Sequence, residues 1–267
     1  MTSRRIDVDG VHLAVFEAGE GEPLLFVHGF PLNHESWRPQ LDEFSRTHRV
    51  IAPDLRGFGG SDVTAGTATM ERFADDLRDL LDALGVVEPV TFCGLSMGGY
   101  IAWQFAHKHP GRLRRLVLCD TKAAADSDEA KENRRRMAET ALAHGAAAIA
   151  KALEDKLFAE ATRRDRPEVV AMVRRMIEGT DPEGIAAALR GMAERPDMSE
   201  SLEKVEVPTL LIVGVEDALT PPAEMKRMAI ALMNAQLVQI ADAGHLAPLE
   251  NPEPVNAAIR KFLEETE

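Results

Sequence analysis

The chain has 267 residues, 45% of them hydrophobic, with 44 acidic against 31 basic side chains and a net charge of −13. That acidic balance repels polyanions and argues against a nucleic-acid partner, and no apolar stretch approaches the roughly 18 residues of a membrane span. The opening MTSRRIDVDG has no apolar signal region, so no membrane association is expected and the cytoplasm is the expected compartment.

In chain order, VHLAVFEAG (11–19), PLLFVHG (23–29) and HRVIAPD (48–54) read as strands. From Met70 to Leu84, apolar residues at 73, 77, 80, 81 and 84 recur at helical spacing, and Gly85 follows as a stop. VTFC (90–93) is a strand leading into GLSMGG, after which YIAWQFA reads as a helix. LRRLVLCD (113–120) and VPTLLIVG (207–214) are short, apolar, centrally buried strands. AQLVQIAD (235–242) is the last strand, before a helix from about Pro254 to Glu265. Strands alternating with helices predict a mostly parallel sheet flanked by helices.

Between Lys122 and Ser201 the composition shifts to Ala, Arg, Glu and Met without any strand pattern, so only helices are expected there. Asp126 with Glu129 reads as a capping box, Gly145 as a stop, Pro167 and Pro182 as first-turn residues, and Gly179 as the end of the third helix. The expected division is a core of 1–121 with 202–267 and a helical cap of 122–201. The insertion follows a strand's C-terminal end, where open α/β sheets place ligands, so the cap is expected to cover a pocket. Cys93 and Cys119 each end an apolar run and read as buried free thiols; no CxxC or HExxH spacing suggests a metal site.

A serine hydroxyl needs a base to take its proton and an acid to orient that base. Gly94-x-Ser96-x-Gly98 lies between a strand and a helix, the setting that holds a serine out on a strained turn as a nucleophile. Of the eight histidines, His245 in ADAGHLAPLENPE follows a strand beside Gly244 and precedes the final helix, and it is the candidate base. His12, His34, His48, His107, His109 and His144 are expected to be solvated surface residues. His28, at the end of LLFVH, is expected to stabilise a turn that aims the Phe30 amide, with that of Met97, at a developing oxyanion.

Five segments together resemble the α/β-hydrolase fold family: HGFPLNHESW (28–37), APDLRGFGGSD (52–62), GLSMGGYIAWQFA (94–106), LLIVGVEDALTPP (210–222) and DAGHLAPLENPE (242–253). They occur in that family's order. The resemblance implies an α/β-hydrolase core with a variable cap. It implies Ser96 as nucleophile, His245 as base, Asp217 as orienting acid, and Phe30 and Met97 as backbone oxyanion donors, with Gly94 and Gly98 forming the elbow. Asp54 and Arg56 match a structural turn. Asp120, at the end of LRRLVLCD, competes with Asp217 for the acid's place; the turn-rich VEDALTPP favours Asp217.

The resemblance also bears on activity. Haloalkane dehalogenase and epoxide hydrolase relatives place Asp at the nucleophile, so Ser96 implies acyl transfer with no metal or organic cofactor. GLSMGG and RLRRLVLCDT are similar to carboxylesterases and to 3-oxoadipate enol-lactonases, which implies a small-molecule ester or lactone substrate. Pro31 matches a position in perhydrolase relatives, where a turn-shaping role is the simpler reading. A receptor that keeps the triad is the alternative of another class. An Ala- and Met-rich cap leads us to expect short uncharged acyl esters, and most of Arg134, Arg135, Arg136, Arg163, Arg164, Arg174 and Arg175 to be solvated.

Overall fold

A computed structural model describes residues 2–266. Eight strands form one sheet: β1 (Thr2–Val8), β2 (Val11–Ala18), β3 (Pro23–Val27), β4 (Arg49–Pro53), β5 (Val90–Leu95), β6 (Leu113–Cys119), β7 (Thr209–Gly214) and β8 (Ala235–Ile240). The order is β1-β2-β4-β3-β5-β6-β7-β8. β1 pairs with β2, and β2 with β4, in antiparallel fashion, while every pair from β4 to β8 is parallel. β3, β5 and β7 are buried along their whole length. Their unbroken apolar runs follow from that position, because helices cover both faces of a parallel sheet.

β1 lies outside the strands expected from sequence. TSRRIDV offers only Ile6 and Val8 as apolar residues, and it is held as an edge strand by the ladder to β2, with Val8 in the core and Arg4 and Arg5 exposed. Helices α1 (Arg38–Phe44), α2 (Met70–Ala83) and α3 (Met97–Lys108) pack on the sheet. α1 is too short for its two buried apolar residues, Leu41 and Phe44, to register as a period. Thr69 caps α2, its hydroxyl accepting from the Arg72 amide at 3.2 Å.

Between β6 and β7 run α4 (Asp128–His144), α5 (Ala146–Leu157), α6 (Glu160–Asp165), α7 (Pro167–Glu178) and α8 (Pro182–Glu194). The start of α4 corrects the expected capping box: Ser127 is the cap, its hydroxyl accepting from the Ala130 amide, while Asp126 is buried among cations. Pro167 and Pro182 open helices as expected. Gly179 ends the fourth helix of the insertion, because the short α6 carries no periodic signal. The insertion rests on the core through α8, where a Cβ on Gly184 would stand 2.0 Å from the Gly57 carbonyl oxygen; only glycine permits that approach. After β7 come α9 (Pro222–Ala231), α10 (Ala247–Glu250) and α11 (Pro252–Glu265), the last beginning slightly earlier than expected.

Cys93 and Cys119 are free and buried, and burial pushes both thiols up. The turn containing Asp54 and Arg56 is a structural knot. Asp54 accepts from the His34 and Gly60 amides, and Arg56 forks onto the buried Asp76 with two bonds of 2.7 Å. Among the described residues no helix is long and apolar enough to cross a membrane.

Candidate active site

Ser96 is the single residue between β5 and α3, with φ +51° and ψ −108°, a conformation that a side chain adopts only where the surroundings enforce it. Its amide donates to the Cys119 carbonyl at 2.9 Å, and its own carbonyl accepts from the Thr121 hydroxyl at 2.7 Å and the Gly99 amide at 2.9 Å. The flanking glycines are steric necessities. A Cβ on Gly94 would lie 2.6 Å from the Gly98 carbonyl oxygen, and one on Gly98 would lie 2.3 Å from that of Val27.

The segment after β8 carries His245 to this turn. Nε2 of His245 lies 2.7 Å from Ser96 Oγ, and Nδ1 lies 3.0 and 2.9 Å from the two oxygens of Asp217. A carboxylate can only accept, so Nδ1 carries the proton and Nε2 turns its lone pair to the hydroxyl. Asp217 sits in the loop after β7, where it also accepts from the Leu219 and Thr220 amides and from the Thr220 hydroxyl at 2.6 Å. Burial works against its ionisation, but His245 and these donors outweigh it and hold the carboxyl below its usual range.

Asp120 is also fully buried, yet its oxygens accept from the Gly214 amide at 2.8 Å and the Ala247 amide at 3.0 Å. Of the two competing acids, the structure brings Asp217 to the imidazole. Burial, followed by the charge of Asp217, pushes Asp120 well up. Sequence reasoning missed Glu250, whose carboxylate accepts from the Ala159, Gly244 and Leu246 amides and the Thr162 hydroxyl. It thereby fastens the segment around His245 to α6 and its approach. Nothing in ENPE distinguishes it from an ordinary exposed helix-start glutamate.

His28 is a neutral brace, as its place in the turn suggested. Nε2 accepts from the Leu55 amide at 3.0 Å, Nδ1 donates to the Gly29 carbonyl at 2.9 Å, and burial lowers its pKa to about 4. This turn passes close to the serine, for a Cβ on Gly29 would stand 3.3 Å from that of Ser96. Among the described residues, neither the Phe30 nor the Met97 amide donates to a backbone carbonyl.

Two of the histidines expected at the surface are instead partly buried against a carboxylate. His34 Nδ1 meets Asp54 at 2.7 Å, which raises its pKa despite burial, and His109 Nε2 meets Asp75 at 2.9 Å. His48 is half-buried beside the Thr47 hydroxyl, while His12, His107 and His144 are exposed.

Ser96, His245 and Phe30 open on a cavity of about 330 Å³. Residues of the helical insertion line the rest, among them Met137, Leu153, Leu157 and Met192. The pocket suited to uncharged acyl groups that the cap's composition suggested also carries charge, since Lys122, Asp126 and Arg134 share this wall. Six of the seven insertion arginines considered above are exposed and Arg134 turns inward, because Asp126 stands inside to receive it. Among the described residues no cluster of three or more His, Cys, Asp or Glu is arranged to hold a metal.

The sheet order, the serine between β5 and α3 and the histidine beyond β8 define a known class, and a family model described as the alpha/beta hydrolase fold matches residues 22–252. The chain belongs to that family. It is similar to a thermophilic esterase from Thermogutta terrifontis solved with malate bound, at 48% identity and a TM-score of 0.96 over 100% of this chain and 99% of that one. The enol-lactonase from Burkholderia xenovorans LB400 superposes with a TM-score of 0.90 at 30% identity, over 98% and 100% of the two chains. 3-Oxoadipate enol-lactonase 2 from Acinetobacter baylyi (strain ATCC 33305 / BD413 / ADP1) is 26% identical over 95% of this chain and 92% of its own.

Proposed function

We propose that the protein is a serine hydrolase of small carboxylic esters that works through an acyl-enzyme. The observation that carries this reading is the 2.7 Å contact from His245 Nε2 to Ser96 Oγ, with Asp217 behind the ring. His245 takes the hydroxyl proton as Oγ bonds to the ester carbonyl carbon, and the carbonyl oxygen becomes an oxyanion facing the Phe30 and Met97 amides. Losing one such donor costs about 10² to 10³ in rate in comparable sites. The tetrahedral intermediate collapses, the C–O bond to the alcohol breaks, and His245 protonates the leaving alkoxide. Water then gives its proton to His245 and its oxygen to the acyl carbon, and Ser96 recovers its proton as the acid departs. The helices of 122–201 act as a cap that shapes the substrate cavity. The esterase and enol-lactonase relatives support hydrolysis of an ester or lactone.

Lactone hydrolysis is the second reading, favoured by the cations Lys122 and Arg134 in the cavity wall. The test is a panel of para-nitrophenyl esters and lactones with Ser96→Ala as control. The expected result is repeated turnover by the native protein, none above background by the variant, and a serine-directed phosphonate adduct located on Ser96 by mass spectrometry. Turnover by Ser96→Ala near the native rate overturns the assignment. A single slow turnover by the native protein with a ligand-dependent rise in melting temperature would point to a receptor instead.

A further inference from the structure

The charges in the cavity run opposite to those of the chain. The protein carries a net −13, yet the Lys, Arg, Asp and Glu residues of the wall are Lys122, Arg134 and Lys156 against the single acid Asp126. Asp126 is already matched from behind. Arg195 forks onto it with bonds of 2.7 and 2.8 Å, and that guanidinium is buried, donates to the Met192 and Ala124 carbonyls, and lies 4.1 Å over the Tyr100 ring. Arg195 therefore neutralises Asp126 in a fixed fork. Arg134 bonds to the same carboxylate through Nε, and the Lys122 ammonium lies 3.2 Å from it. Three cations thus share one carboxylate, so Lys122 and Arg134 face the cavity with positive charge in excess of what Asp126 offsets.

Part-buried cations in excess of their partners are costly, and a ligand anion is the group that would complete them. Their place in the fold ties them to the serine. Lys122 directly follows Thr121, whose hydroxyl holds the Ser96 carbonyl, and Tyr100 lies one turn along α3 from Ser96. Lys156, exposed at the same cavity, adds a positive rim that draws anions in.

We propose that the substrate is a monoester of a short dicarboxylic acid, its free carboxylate held by Lys122 and Arg134 while its ester carbonyl meets Ser96. This rests on the ester-hydrolase reading and names the substrate class for that same cavity. It replaces the preference for uncharged acyl groups expected from cap composition.

The test compares kcat/KM for para-nitrophenyl hydrogen succinate and for its uncharged isostere, para-nitrophenyl isocaproate. The native protein is expected to prefer the charged ester by about tenfold or more, the scale of one charge-assisted hydrogen bond. Salt at about 0.5 M should shrink that preference. Lys122→Met and Arg134→Met should each move the ratio towards parity. Lys122→Met keeps the test valid if Arg134→Met fails to fold, because it leaves the Asp126–Arg195 fork intact. A binding arm separates this inference from catalysis: succinate should bind the Ser96→Ala protein more tightly than butyrate in calorimetry, and Lys122→Met should abolish the difference. Equal or reversed ester preference in the native protein, or a ratio untouched by Lys122→Met, overturns the proposal. Lys122-dependent succinate binding without any ester turnover would uphold the carboxylate site and overturn the hydrolase reading.

Discussion

The ends of β6 and β7 lie side by side, and each delivers a buried aspartate to the same edge of the sheet. Asp120 spends its oxygens on two backbone amides and so ties the end of β7 to the segment after His245. Asp217 spends its oxygens on an imidazole, a hydroxyl and two amides in a turn-rich loop. Burial opposes ionisation of both, and the outcome differs in direction because Asp217 has His245 against it while Asp120 has the negative Asp217 nearby. A strand-end position thus makes a carboxylate available. Its partner decides what it does.

The sharpest way to break this comparison is Asp217→Asn, which replaces one carboxylate oxygen by an NH₂ donor, so the imidazole is no longer held in the required tautomer and the charge that stabilises the imidazolium is lost. The expected drop in kcat is about 10⁴, as in the serine proteases where that substitution sets the scale. Stopped-flow or steady-state assays on a fully folded variant would show it, and near-native turnover would remove Asp217 from the site. Thr220→Val deletes the 2.6 Å hydroxyl bond to Asp217, and a fall in kcat of about tenfold is expected from one bond to a charged group. Asp120→Asn should reverse the pattern: most activity retained, but about 1–3 kcal/mol of stability lost, since one amide donor then faces an NH₂. Chemical denaturation would measure that loss, and a larger fall in kcat than for Asp217→Asn would exchange the two roles.

The smallest effect is in the pH dependence of stability, where the two acids have opposite signs. With its pKa raised, Asp120 holds a proton in the folded state that the unfolded chain has released, so stability falls as pH rises above 3.8, the ordinary aspartate value. With its pKa lowered, Asp217 contributes stability that is present above 3.8 and lost as pH falls through its folded value. Melting temperatures across acidic pH should therefore lose their falling component in Asp120→Asn and their rising component in Asp217→Asn. Identical profiles for both variants would contradict the opposed shifts.

Much of this was legible in the chain because it is local. The apolar runs of β3, β5 and β7 are strands buried on both faces, and Gly94 and Gly98 flank Ser96 because the backbone leaves no space for Cβ there. β1 escaped notice because its support is a neighbouring strand rather than its own pattern. The insertion was legible as helices but its inner wall was not. Arg134, Arg135 and Arg136 are equivalent in sequence, and the one that turns in is selected by Asp126 at the foot of the helix.

By itself the sequence determined most of the elements and their alternation, since propensity, periodicity and glycine sterics act over a few residues. The order of serine, acid and histidine rested on the resemblance of its motifs to a known family. Only the tertiary structure decided which groups meet. Ser96 and His245 are 149 positions apart, Asp120 reaches amides 94 and 127 positions away, and Glu250 reaches back 91 to Ala159. Hydrogen bonds act within about 3 Å, so partners at such separations are set by how the strands order and how the insertion docks. Neither can be read from any single stretch of the chain.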